Sequence, residues 1–215
     1  IKGSSSLVED TRNLYHELFD ESLKKYNSKQ TRIDRKINDY FSHISNDKEH
    51  DLACEIIIEL GDLDFWSNVS LNEKVKMEKV FKEQVEVLEL IVPNFKVANA
   101  TIHFDEHSPH MHIVGVPVKE NCKTGLSRQV GKTSIFTKES LVVIQDKMRE
   151  RCIDEFNIAY GMDSKLKEKQ KGRNQDINVN DMKNYKKIKK QLDKNTEKLA
   201  KVNNQTEKLD NSSKD

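Results

Sequence analysis

Four of the seven histidines in this chain fall within ten consecutive positions, His103-Phe104-Asp105-Glu106-His107-Ser108-Pro109-His110-Met111-His112. The string sits between two runs rich in apolar and β-branched residues, Val97 to Ile102 and Ile113 to Val118. Such runs flanking a proline-marked turn predict two strands joined as a hairpin. Side chains two apart on a strand share a face, so His110 and His112 project together while Met111 and Ile113 face the opposite layer. The hairpin brings His103 opposite them. Three imidazoles on one face beside two carboxylates predict a metal centre.

The chemistry of that donor set narrows the ion. Neutral imidazoles with a carboxylate suit a borderline divalent cation such as Mn²⁺, Zn²⁺, Co²⁺ or Ni²⁺. The carboxylate and open water positions favour Mn²⁺ first, with Mg²⁺ or another divalent ion as alternative. His103, His110 and His112 are the expected ligands, with Glu106 as a fourth. Asp105 is expected to orient an imidazole N–H from outside the ligand set. An ion with free positions can act as a Lewis acid on a phosphoryl group.

Elsewhere the chain reads as alternating helix and strand. The first 45 residues are expected to be helical, with a second helix over Arg32 to Ile44 on the stripe Ile33, Ile37, Tyr40, Phe41 and Ile44. Asp51 to Gly61, with its Ile56-Ile57-Ile58 centre, predicts a strand in a buried central position. Ser70 and Glu73 match a capping box that opens a helix to about Ile91, stopped by Pro93. The metal hairpin is expected over Asn94 to His103 and Pro109 to Val118, followed by a polar loop from Lys119 to Ser134. Thr137 caps a last helix that ends at Gly161. The expected fold class is α+β, an antiparallel β-sheet with packed helices plus an extended C-terminal helix.

Charge divides the chain. Between Lys165 and Lys201 there are thirteen Lys and Arg against five acids, while the whole protein carries only +1. A basic tail on an acidic body points to a nucleic-acid partner. Residues 1–162 are expected to form the main domain and 163–180 a basic linker whose Lys165, Lys167, Lys169, Lys171 and Arg173 contact DNA phosphates. Residues 181–215 carry a heptad-like seam from Tyr185 to Leu209 and predict a helical, coiled-coil tail that supports a homodimer. Trp66 can stack on a base or pack a strand-to-helix corner, and the packing role is favoured. Lys132, Arg128 and Lys138, near the loop after the hairpin, are further candidates for phosphate contacts. Cys54, Cys122 and Cys152 are an odd number without CxxC spacing, which suggests free thiols in a reducing, cytoplasmic setting. No apolar run approaches the ~20 residues of a membrane span.

His110-Met111-His112 resembles the His-hydrophobe-His signature of the HUH endonucleases. The longer string HFDEHSPHMH, followed by an apolar strand, resembles the third motif of the MobV (Mob/Pre) plasmid relaxases. The resemblance is specific over Val97 to Val118. It implies an antiparallel sheet with helices on it, and metal-dependent nicking of one DNA strand at a transfer origin, single-stranded or as a hairpin. Transesterification would leave a 5′-phosphoryl–enzyme bond and a free 3′-OH. In that reading His103, His110, His112 and Glu106 hold the ion, with Glu106 and Asp105 at the catalytic centre. The family's nucleophile, His or Tyr, lies on an N-terminal strand, which is not evident here because the chain opens into helix. Ile1 is therefore expected to be an internal position of a longer protein, with the nucleophile upstream and the fragment poorly active or inactive by itself. Within the chain Tyr26 and Tyr40 are the candidate nucleophiles, each more simply read as a packing residue. Two other functions stay open: a phosphoesterase using a water nucleophile, and a DNA-binding recombination accessory without catalysis. Loss of DNA binding on removing the tail would separate a relaxase from the phosphoesterase.

Overall fold

The computed structural model of the chain describes residues 1–168 and, beyond them, only Lys187, Lys190, Gln191, Lys194 and Asn195, which are helical and exposed. The rest of the expected linker and tail, with Lys169, Lys171, Arg173 and the heptad seam apart from Asn195, lies outside the described residues. Residues 1–167 form one compact unit and 168–215 a second.

In the first unit an antiparallel sheet carries helices on both faces. The elements are α1 (Leu7–Ser28), α2 (Tyr40–Ser45), β1 (Cys54–Glu59), α3 (Leu63–Trp66), α4 (Leu71–Lys74), α5 (Met77–Ile91), β2 (Phe95–His103), β3 (His110–Lys119), β4 (Gln129–Val130), α6 (Lys132–Ile135) and α7 (Lys138–Tyr160). The main strands order β1-β3-β2, and β4 pairs with the far end of β3. Strand β3 is thus the centre of the sheet, with β1 and β2 on either side of it.

Alternation along β3 assigns the two faces. Met111 and Ile113 join Ile56, Ile58, Val97 and Ala100 in one core with α5 and α7. Val116 and Val118 join Tyr15, Phe19, Leu23, Tyr40 and Phe41 in a second core under α1 and α2. Helix α7 buries Ile144, Met148, Cys152 and Phe156, a strict four-residue stripe. It begins on a reciprocal Thr137–Ser140 capping box and stops at Gly161. There φ of +62° suits a residue without Cβ. Fully buried Gln84 of α5 ties these two helices, its amide bridging Met148 O (3.1 Å) and Cys152 N (3.2 Å). Gly115 of β3 lies under the Phe95 ring; a Cβ there would stand 2.6 Å from Phe95 Cζ.

Parity would fail in β2 without one irregularity. Val97 pairs with Gly115 but Asn99 pairs with Val114, so Ala98 is an extra residue, a β-bulge. Phe95 and Val97 before it, and Ala100 after it, all reach the α5–α7 core. The bulge therefore puts Asn99, Thr101 and His103 on the opposite face, the one that carries His110 and His112.

Four expectations are corrected. No helix spans Arg32 to Ile44: a 3₁₀ turn at Ile33–Arg35 is followed by extended backbone before α2. The Asn27 side chain bonds both Ile37 N (3.0 Å) and Ile37 O (2.7 Å), removing the groups a helix would use. Asp39 then caps Ser42 N (2.7 Å) and starts α2 afresh. Strand β1 is not central but an edge among the described residues. Cys54, Ile56 and Ile58 face the core while Glu55, Ile57 and Glu59 face out, with Ile57 57% exposed. The helix expected to run to Ile91 is two segments, joined through i→i−3 bonds such as Lys76 N to Glu73 O (3.1 Å). Finally, the chain does not open directly into helix. Lys2 pairs antiparallel with Ala100 on the free side of β2, Ala100 N donating to Lys2 O at 2.9 Å.

Candidate metal centre

At the turn end of the hairpin the register sets two rows across the sheet. His103 lies opposite His110, which lies opposite Glu59; Thr101 lies opposite His112, which lies opposite Ile57. All six side chains share one face by parity. The second core, under α1 and α2, occupies the far end of that face, and the imidazoles stay accessible, with side-chain exposures of 39% for His103, 12% for His110 and 31% for His112. Their ring centroids form a nearly equilateral triangle with sides of 5.2, 5.1 and 5.1 Å.

Hydrogen bonds fix two of the three tautomers. His110 Nδ1 lies 3.0 Å from Ser108 O and His112 Nδ1 lies 2.7 Å from Glu55 Oε1. A carbonyl and a carboxylate only accept, so both Nδ1 atoms donate and both Nε2 lone pairs are left for a ligand. Glu106, on the turn, brings a carboxylate oxygen to 3.9 Å from His110 Nε2. One donor atom each from His103, Glu106 and His110 lies within 4.8 Å of the others. That set of two imidazoles and a carboxylate fits a divalent ion with modest contraction. His112 stands outside this closest group, its ring alongside.

The expected orienting role falls on a different acid. Asp105 Oδ1 is 3.6 Å from His103 Nδ1, beyond hydrogen-bond range. Glu55, from β1, orients His112. It was missed because its partner lies 57 positions away. The available signal was the period-2 pattern in CEIIIE, where Glu55 and Glu59 alternate with core residues and so must share the face of the hairpin imidazoles.

The tyrosines are not brought to this centre. Tyr40 is buried in the second core and its hydroxyl accepts from Val130 N (3.3 Å). Val130 pairs with Val118, six residues along β3 from His112, or roughly 20 Å. Tyr26 packs against the same core. Tyr15 is also spent in packing: its hydroxyl donates to Leu52 O (2.6 Å), and burial raises its pKa. Trp66 is fully buried, with Nε1 donating to Leu60 O (2.7 Å), so it packs the strand-to-helix corner.

Of the basic candidates, Lys165 and Lys167 are described and exposed. Lys167 Nζ is 3.5 Å from Asp62, and its carbonyl accepts from Arg149 Nη2 at 2.9 Å. Lys132 pairs with Asp51 (2.8 Å). Arg128 ties the loop to α1 through Leu18 O (3.1 Å). Among the described residues no helix is long and apolar enough to cross a membrane.

Comparison with known proteins agrees with the hairpin motif. Residues 5–172 match the family profile Mob_Pre, described as plasmid recombination enzyme. The type 1 plasmid recombination enzyme of Staphylococcus aureus is 33% identical over 90 residues, 42% of this chain and 20% of that protein. The type 2 enzyme of S. aureus strain Mu50 is 27% identical over 103 residues, 48% of this chain and 22% of that protein. The chain therefore matches about a fifth of the length of these relatives. Among solved structures, the manganese-bound MobM relaxase domain (MOBV; Mob_Pre) with plasmid pMV158 oriT DNA aligns at a TM-score of 0.43 and 20% identity, over 80% of this chain and 72% of that one. With the match covering most of the sequence, the chain belongs to the Mob_Pre family of plasmid recombination enzymes.

Proposed function

We propose that this chain supplies the metal- and DNA-binding part of a plasmid mobilisation relaxase that cuts one DNA strand at a transfer origin by transesterification. The observation that carries this reading is the triangle of His103, His110 and His112 on the accessible half of the sheet, with Glu106 at its edge. Family membership supplies the substrate class.

In this reading His103, His110, His112 and Glu106 hold a divalent ion, Mn²⁺ first among the candidates. An ion held there would supply Lewis-acid polarisation of a scissile phosphate oxygen. The remaining work belongs to the protein. Glu55 and Ser108 O keep the His112 and His110 rings in the tautomer that offers Nε2. The sheet fixes the spacing of the rings, so little reorganisation is needed when the DNA arrives. Lys165 and Lys167, with Lys169, Lys171 and Arg173 further along the chain, hold the backbone phosphates.

The antiparallel pairing of Lys2 with Ala100 gives a direction for the nucleophile. In a longer protein, chain that continues this pairing N-terminally runs along β2 toward His103, where a His or Tyr meets a phosphate held at the centre. Attack there breaks the P–O3′ bond, links the enzyme to the 5′-phosphate and releases a 3′-OH.

The test uses the longest natural protein containing this sequence, with Mn²⁺ and supercoiled DNA of the replicon that encodes it. The expected product is an open circle with protein attached to a 5′ end, absent with His110→Ala. Cleavage that leaves a free 5′-phosphate would instead favour a water nucleophile.

A further inference from the structure

The turn that carries Glu106 and delivers His110 has little secondary structure of its own. Asp105 to Ser108 form bends, and the side chains of Asp105 and Glu106 are largely exposed. Two contacts from outside the hairpin hold it. On one side Lys74, the last residue of α4, donates from Nζ to His107 O at 2.7 Å. On the other side Glu59, the last residue of β1, accepts from Ser108 Oγ. Ser108 is also the residue whose carbonyl fixes the His110 tautomer. The arm bearing Lys74 is itself anchored: Tyr160 OH of α7 donates to Glu73 O (2.6 Å), and Lys76 lies over the Tyr160 ring at 5.7 Å.

We propose that Lys74 and Glu59 are positioning residues that clasp the turn from opposite sides, setting His110 and Glu106 for the metal before it binds. The proposal rests on the metal reading above. The physical argument is one of cost. A turn free to sample many conformations must be ordered when the ion binds, and that loss of freedom weakens affinity. A turn already pinned at His107 and Ser108 enters binding with most of that ordering complete. Neither residue belongs to the closest donor group: Lys74 acts through the His107 carbonyl and Glu59 through the Ser108 hydroxyl. Groups at this remove from a metal commonly change its affinity by about 10-fold or more.

The experiment measures Mn²⁺ binding by titration calorimetry on the full chain and on Lys74→Met, Lys74→Arg and Glu59→Gln. In parallel, imidazole ¹⁵N shifts of His110 are read in metal-free protein. The expected result is a Kd about 10-fold weaker for Lys74→Met and for Glu59→Gln, with recovery in Lys74→Arg and unchanged thermal midpoints without metal. The metal-free His110 signals should move from a single Nδ1–H tautomer toward a mixture, most strongly in Glu59→Gln. An unchanged Kd with an unchanged tautomer overturns the proposal, as does an affinity loss matched by an equal loss of global stability. Absence of Mn²⁺ binding by the wild-type chain would sink the metal reading instead. The metal-free tautomer populations would then still decide whether the clasp positions His110.

Discussion

At the scale of single residues, the proposed function divides the centre into groups that would donate to the ion and groups that would aim the donors. His110→Ala removes the ring at the middle of its row and the partner of Glu106, so Mn²⁺ binding should vanish in calorimetry. Glu55→Gln keeps the size of the side chain but replaces the charged acceptor of His112 Nδ1–H. The expected effect is intermediate, a loss of about 10- to 100-fold in affinity with the fold intact. Equal Mn²⁺ affinity in Glu55→Gln and wild type would show that the His112 tautomer does not matter to binding. A second residue-scale consequence concerns acid. The Asp10 carboxyl is held below its ordinary value of 3.8, chiefly by a hydrogen bond from Asn99 Nδ2 (2.7 Å) and next by the Ser4 backbone. A lowered folded pKa stabilises the fold fully above the unfolded value and loses that contribution as pH falls through the folded one. The pairing of Lys2 with Ala100 should therefore loosen only below about pH 3.8. The Ala100 amide, which donates to Lys2 O, should lose hydrogen-exchange protection there while the Met111 and Ile113 amides keep theirs. Simultaneous loss at all three would mean global unfolding rather than local release.

At the scale of elements, the bulge at Ala98 takes up one extra residue in β2. Deleting Ala98 removes the extra residue and lets Val97 and Asn99 follow in regular alternation, opposite the Gly115 and Val114 they already face. Phe95, Val97 and Ala100 then keep the α5–α7 core, and Thr101 and His103 keep the imidazole face. Mn²⁺ binding should therefore be retained in the deletion, measured by calorimetry beside the thermal midpoint. Loss of binding with the fold intact would show that the bulge sets the position of His103 as well as its face. This element also marks where the sequence stopped being readable. The hairpin, the common face of its imidazoles and helix α7 were legible, because alternation, the four-residue stripe, the Thr137 cap and Gly161 are all local signals. The bulge was not, since Val97-Ala98-Asn99-Ala100 fits a strand in either parity and only pairing with Gly115 and Val114 decides. The edge position of β1 depends equally on strand order, which hydrophobicity alone does not encode; the triple isoleucine reads as central although Ile57 faces out. The missing helix at Arg32 was hidden for the same reason, because the Asn27 side chain that captures Ile37 acts from ten positions away.

At the scale of the whole molecule, the proposed function asks two kinds of recognition of different parts of the chain. The centre on the sheet is compact and acidic, with Glu55, Glu59 and Glu106 beside three neutral imidazoles. Under the proposed function such a site would meet one phosphate and, being acidic, would contribute little to long-range attraction for DNA. Long-range attraction depends on released counterions, and its measure is the slope of log Kobs against log salt, about 0.7 per phosphate contact on single strands. If Lys165, Lys167, Lys169, Lys171 and Arg173 make those contacts, replacing all five by Gln should lower the slope by up to about 3.5 and leave Mn²⁺ binding as it was. Lys167 tests the argument most sharply, because its neighbour Asp62 must release it before it can meet a phosphate. Asp62→Asn should therefore strengthen DNA binding slightly at low salt, and the gain should disappear in the Lys167→Gln background. Fluorescence anisotropy with a single-stranded oligonucleotide across a salt series measures all of these quantities. An unchanged slope in the five-fold variant would transfer the electrostatic contacts elsewhere, and the face around Lys74 and the hairpin turn would be the next surface to neutralise.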